Sequence, residues 1–271
     1  MKYLLGAKTW ACVADRMRGK NLFIFLDFDG TLTTIASTPN KCFLSAAVKK
    51  ILQEIAGNYK VRLAFISGRR LKDLKARVGV KNAVYSGNHG LEVEGPSIAF
   101  KSFVLPGYQR NIVRIKHALK RKIAAVAGAW VEDKGLTISL HYRLAEKNDI
   151  PAVKNIFQET IAAYCDAHSV KIRSGKMVFE VMPPIAWDKG KVVRWLCSQR
   201  SFVFHHHRGI PVYIGDDVTD EDAFRAISAK GITIFVGRPK KTRARYYVKD
   251  PGEVQKVLER ISGEILPKIV G

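Results

Sequence analysis

Along the first hundred residues the spacing of apolar positions changes several times. Asn21–Leu26 is a continuous apolar run with no polar alternation, the pattern of a strand covered on both faces. Ser45–Ala56 shifts to a spacing of three and four, which predicts a helix. Val61–Ile66 then reads as another buried strand, Leu71–Val78 as another helix, and Ala83–Ser86 as a short third strand. Alternation of this kind predicts a parallel sheet covered by helices.

The middle of the chain carries a different pattern. Ile112, Ile115, Leu119, Ile123 and Val126 recur at helical spacing across Tyr108–Ala127. Two strands, Ala129–Glu132 and Leu136–Tyr142, follow around a turn at Asp133-Lys134-Gly135. A helix, Pro151–Ala167, leads to strands Val170–Arg173 and Met177–Val181, with a turn at Ser174-Gly175. That αββαββ order predicts an antiparallel sheet with helices on one face. After Pro183-Pro184 the earlier pattern resumes with helix Lys189–Cys197, strand Val212–Ile214, helix Glu221–Ile227 and strand Ile232–Val236. The expected fold is therefore α/β. Residues 21–105 and 185–271 form a Rossmann-like parallel-sheet core, interrupted by an inserted α+β domain at 106–184. Residues 1–20 read as a helical extension that packs on the core or mediates dimerisation; a monomer is the expected state.

Composition narrows the class. The chain has 271 residues, 47% apolar and 26% charged, enough to bury a large core. No apolar run approaches the roughly 20 residues of a membrane span. Lys8, Asp15 and Arg16 break the N-terminal apolar stretch, so a secretion signal is not expected. Cys12, Cys42, Cys165 and Cys197 show no paired spacing, which fits free thiols in a cytoplasmic protein. His205-His206-His207 are adjacent and cannot easily converge on one ion, so no metal site is expected there. The net charge of +22 attracts polyanions and steers small phosphorylated molecules toward a cleft. Basic residues are spread along the chain, with mild clusters at Arg114–Lys122 and Arg238–Arg245, rather than set in one stripe with aromatics. Nucleic-acid binding is thus the alternative of a different class, not the expected partnership.

Chemistry concentrates where apolar runs end. Asp27-Phe28-Asp29-Gly30-Thr31 follows the first buried strand, and ligands of open parallel sheets sit beyond such carboxyl ends. Gly215-Asp216-Asp217-Val218-Thr219-Asp220 follows another. Three carboxylates in six residues repel one another without a cation, and hard oxygen ligands suit Mg²⁺. Ser67-Gly68-Arg69 lies at the end of a third strand, and Lys189 opens a helix after Asp188. A carboxylate attacks phosphorus best when a metal ion and a lysine neutralise the phosphoryl dianion. Hydroxyls at Thr31 and Ser67 then supply donors to its oxygens.

The order DFDGT…SGR…DKG…GDDVTDEDAF resembles the haloacid dehalogenase superfamily of phosphatases. That resemblance implies Asp27 as nucleophile and Asp29 as general acid/base. It gives Thr31, Ser67 and Lys189 as phosphoryl binders, and Asp216 as an Mg²⁺ ligand with Asp27 and the Asp29 carbonyl. Asp217 and Asp220 are expected to orient metal-bound water. The inserted domain becomes a cap that chooses the substrate. Ser86-Gly87-Asn88-His89-Gly90, Val131-Glu132-Asp133-Lys134, His141-Tyr142-Arg143 and Ser174-Gly175-Lys176 with Glu180 resemble trehalose-6-phosphate phosphatases. By that resemblance Arg69, Asn88, His89, Glu132, Lys134, Lys176 and Glu180 bind the substrate. Sucrose 6-phosphate, mannosyl-3-phosphoglycerate and glucosylglycerol phosphate are the alternative sugar phosphates.

Overall fold

The computed structural model describes residues 1–34, 42–164, 169–204 and 209–267. The His205–His207 run and Cys165 lie outside them. The chain opens with β1 (Lys2–Tyr3) and α1 (Ala7–Met17). Next come β2 (Leu22–Leu26), α2 (Ala46–Gly57), β3 (Val61–Ile66), α3 (Leu71–Val78), β4 (Val84–Gly87), β5 (Glu92–Gly95) and β6 (Ile98–Lys101). The αββαββ stretch is α4 (Pro106–Ile123), β7 (Trp130–Asp133), β8 (Ile138–His141), α5 (Ile150–Tyr164), β9 (Lys171–Gly175) and β10 (Val178–Met182). It is followed by α6 (Lys189–Leu196), β11 (Ile210–Gly215), α7 (Glu221–Ile227), β12 (Ile232–Val236), β13 (Tyr246–Val248) and α8 (Pro251–Arg260).

Two compact units result, Met1–Lys101 with Trp187–Gly271, and Ser102–Ala186. The chain crosses between them after Lys101 and after Ala186, instead of at 105/106 and 184/185. The first unit holds a sheet ordered β1-β13-β12-β11-β2-β3-β4-β5-β6. Its pairs are parallel from β1 to β4, and β5 and β6 extend it as an antiparallel edge. The unalternated apolar run of β2 has a direct cause. Leu22, Ile24 and Leu26 face one helical layer with residues of α1, α2, α3 and α8. Phe23 and Phe25 face the other, with residues of α6 and α7. Ser45 caps α2, accepting a hydrogen bond from the Val48 N–H at 3.2 Å.

The N-terminal residues do more than the expected helix. β1 pairs with β13 and forms one sheet edge. α1 buries Trp10, Val13, Ala14 and Met17, and the Trp10 indole donates to Glu264 at 2.7 Å beneath the Arg260 guanidinium.

The second unit is a four-stranded antiparallel sheet ordered β7-β8-β10-β9. Tyr108, Ile112, Ile115 and Leu119 of α4 pack with Val153, Phe157 and Ile161 of α5 onto Ile138, Leu140 and Val181. One expected turn moves. Ser174 and Gly175 remain in the ladder opposite Phe179 and Val178, so the turn is Lys176-Met177, with Met177 at φ 64°. Cross-strand pairing outweighed the local Ser-Gly turn signal. No helix among the described residues is long and apolar enough to cross a membrane.

Candidate active site

β2 and β11 are parallel neighbours with Leu26 opposite Ile214, so Asp27 and Asp216 leave the same sheet end side by side. The Asp27 N–H donates to the Ile214 carbonyl at 3.0 Å, which fixes that register. Asp27, Asp216 and Asp220 are buried, and each offers a carboxylate oxygen within 4.8 Å of the others. Gly30 makes this approach possible. It sits at φ 83°, and a Cβ there would collide with the Asp216 carboxylate.

Lys189, at the first position of α6, is buried within this acidic group. Its Nζ donates to Asp27 Oδ1 at 2.7 Å and to Asp220 Oδ1 at 2.8 Å. Burial works against the Lys189 charge, but Asp220 and Asp27 outweigh it and hold its pKa above the ordinary lysine value. Burial pushes Asp27 well above the usual carboxylate range; Lys189 offsets only part of this, and Asp220 and Asp216 add to it. Asp220, expected to orient metal-bound water, sits at the centre of this network. Its carboxylate accepts from Lys189, from the Tyr213 hydroxyl at 2.7 Å and from the Asp217 N–H at 2.9 Å. Asp220 therefore anchors the lysine. Asp217 caps the turn that presents Asp220. Tyr213 was missed because it lies inside an apolar strand. The available signal was a buried phenol two residues before the Gly215-Asp216-Asp217 motif, since such hydroxyls require partners.

Arg69, expected as a substrate ligand, is held by two carboxylates. It is buried, with Nε and Nη2 donating to the two oxygens of Asp29 at 2.7 and 2.6 Å, and Nη1 donating to Asp73 at 2.7 Å. This bidentate fork positions Asp29. Asn88 and His89, also expected at the substrate, brace the same corner. The Asn88 N–H donates to the Arg69 carbonyl at 2.7 Å and the His89 N–H to the Ser67 carbonyl at 3.0 Å. Asn88 Nδ2 donates to Glu92 at 2.7 Å, and the His89 ring fills the space a side chain at Gly68 would need. Ser67 is buried, its Oγ accepting from the Arg69 N–H at 3.2 Å. The Thr31 hydroxyl is fully buried with no hydrogen-bond partner among the described residues.

In the second unit the polar face of the sheet gathers most of the remaining candidates. Glu132, Ser139, Glu180 and Arg173 are cross-strand partners and so share that face. Lys134 donates to Glu180 at 2.8 Å and Ser139 to the same oxygen at 3.1 Å. His141 lies 2.8 Å from Glu132 and stacks on Trp130 at 4.8 Å. Lys176 is apart from this group, in the β9–β10 turn, where its carbonyl accepts from Arg143 at 3.0 Å. Ser139, His141 and Trp130 were not among the expected site residues, because only strand register shows that they share the face.

The trehalose-phosphatase family model matches residues 25–252. Trehalose-phosphate phosphatase B of Arabidopsis thaliana is 30% identical over 263 residues, covering 92% of this chain and 68% of that protein. Probable trehalose-phosphate phosphatase 4 of Oryza sativa subsp. japonica is 32% identical over 255 residues, with the same coverage. Among solved structures, the C-terminal domain of the C. albicans trehalose-6-phosphate phosphatase aligns with a TM-score of 0.78 at 22% identity, covering 93% of this chain and 96% of that one. A trehalose-6-phosphate phosphatase related protein aligns at 0.72 and 23%, covering 89% and 96%. These structures share the fold. The chain belongs to the trehalose-phosphatase family.

Proposed function

We propose that this protein hydrolyses trehalose 6-phosphate to trehalose and phosphate, with Mg²⁺ as cofactor and Asp27 as the phosphorylated residue. The observation that carries the reading is the meeting of Asp27, Asp216 and Lys189 at two adjacent strand ends. Three buried carboxylates around one ammonium leave surplus negative charge, which suits a hard divalent cation. Asp27, Asp216 and the Asp29 backbone carbonyl would hold the ion. When bound, it neutralises phosphoryl oxygens and lets a carboxylate approach phosphorus.

The side chains divide the chemistry. Asp27 attacks phosphorus and the bond from phosphorus to the sugar oxygen breaks. Lys189 neutralises charge on Asp27 and the phosphoryl group, while Thr31 and Ser67 donate to phosphoryl oxygens. Asp29 protonates the departing sugar oxygen, then takes a proton from the water that releases phosphate from Asp27. The Asp29 side chain is 37% exposed against 7% for Asp27, which leaves Asp29 the access to leaving group and water that this role needs. Glu132, Lys134, Lys176 and Glu180 read sugar hydroxyls, which both donate and accept. One chain supplies every residue invoked, so a monomer suffices, and the free thiols Cys12, Cys42 and Cys197 fit a cytoplasmic location.

A phosphate-release assay across sugar phosphates tests the substrate. Trehalose 6-phosphate should be turned over fastest; faster release from sucrose 6-phosphate or mannosyl-3-phosphoglycerate would move the substrate and leave the mechanism standing. Asp27→Asn should abolish turnover with the fold retained, and full activity there would overturn the mechanism.

A further inference from the structure

The reaction centre carries more acid than base. Asp27, Asp29, Asp216, Asp217 and Asp220 contribute carboxylates, and the cations among them are already engaged. Lys189 is shared by Asp27 and Asp220, and Arg69 by Asp29 and Asp73. A divalent ion held by Asp27 and Asp216 would offset part of that surplus, and further positive charge standing nearby would favour the approach of a phosphate dianion.

The loop leaving β12 supplies such charge. β12 is the parallel neighbour of β11, with Phe235 level with Gly215. Gly237 and Arg238 therefore leave the sheet at the same end as Asp216, about one strand spacing, ~5 Å, to the side. Arg238, Lys240, Lys241 and Arg243 are all exposed, and no acidic residue lies between Gly237 and Lys249. None of these four side chains forms an ion pair among the described residues; the Lys240 ammonium rests 4.5 Å from the Phe235 ring centre.

The loop is also pinned in place. Glu221, the residue after Asp220, accepts from the Thr242 hydroxyl and from the Arg243 N–H at 2.8 Å. The Ala244 N–H donates to Thr242 Oγ1 at 3.2 Å. One carboxylate thus ties four cations to the segment that carries Asp216 and Asp220.

We propose that residues 238–243 form an anion-capture arm, which draws phosphate dianions from solution toward the strand-end carboxylates. Its ligands are the phosphoryl group of the incoming monoester and free inorganic phosphate, which then competes for the same charge. The inference rests on the phosphatase reading above.

The test is a triple variant, Lys240→Gln, Lys241→Gln and Arg243→Gln, assayed with a monoester that the unmodified protein hydrolyses. At about 20 mM salt the screening length is roughly 20 Å, and at about 0.5 M it is roughly 4 Å. We expect kcat/KM to fall about five- to tenfold at the lower salt, carried by KM, and to meet the unmodified protein at the higher salt. Lys240→Glu with Lys241→Glu should enlarge the loss. A loss equal at both salts would mean a structural role, and no loss would dismiss the arm. Arg114→Gln, Lys120→Gln and Arg121→Gln in α4 change net charge by the same amount; a matching loss there would also overturn the proposal. Calorimetric titration of inorganic phosphate at low salt needs no turnover. Binding several-fold weaker in the loop variant supports the arm, and equal binding refutes it. If the unmodified protein hydrolyses no monoester, the functional reading fails while this titration still decides the arm.

Discussion

At the scale of single residues, the centre depends on side chains that hold other side chains. Tyr213 shows the logic. Its hydroxyl donates to the Asp220 oxygen that also receives Lys189, and its ring meets Phe224 edge-on at 5.6 Å. Burial, then Asp220 and Asp27, push its pKa well above the ordinary phenol value, so it stays a donor across the working range of pH. Tyr213→Phe keeps the packing and removes one bond to a buried carboxylate. Stability should fall by about 1.5–3 kcal/mol in denaturant titration, the range for hydrogen bonds to charged groups. If Tyr213 holds the lysine through Asp220, kcat should also fall roughly tenfold with KM little changed. Unchanged kcat would leave Tyr213 a packing residue only.

At the scale of elements, legibility followed length and locality. β2, β3, α2, α3 and β12 were readable because each buries a run or a stripe long enough to show its period. β1 and β13, with two and three residues, cannot show a period, and β5 and β6 are short edge strands. The strand-end carboxylates were readable because each follows an apolar run directly. The Arg69–Asp29 and Lys189–Asp220 pairs were not, since they join residues 40 and 31 positions apart and exist only once the sheet has formed. The N-terminal extension illustrates the same limit. Its helix was expected, yet its anchoring to Glu264 and Arg260 near the other end of the sequence was invisible. That anchoring makes the extension part of the core. Trp10→Ala removes a buried indole together with its hydrogen bond and its cation contact, and should cost about 3–5 kcal/mol. Urea unfolding measures this; a cost under about 1 kcal/mol would show that α1 is dispensable, since ordinary surface changes stay within that range.

At the scale of the whole molecule, a strongly basic protein concentrates buried acid at one sheet end. The net charge of +22 makes the folded chain repel itself, so added salt of any kind should raise its melting temperature by screening. The acidic centre adds a second, cation-specific effect, because Asp27, Asp216 and Asp220 repel one another locally and a site-bound cation relieves them. The two effects separate at fixed ionic strength. With Mg²⁺ replacing sodium salt at matched ionic strength, screening is constant and only site binding remains. A ligand at about 100 times its Kd stabilises the native state by roughly 2.7 kcal/mol. At about 2–4 °C per kcal/mol for a chain of this size, the melting temperature should rise by several degrees over that in chelator. Asp216→Asn removes one carboxylate from the cluster, so it should melt higher than the unmodified protein in chelator yet gain little from Mg²⁺. Equal melting of the unmodified protein with Mg²⁺ and with chelator, ionic strength matched, would show that the three carboxylates hold no ion, whatever their spacing.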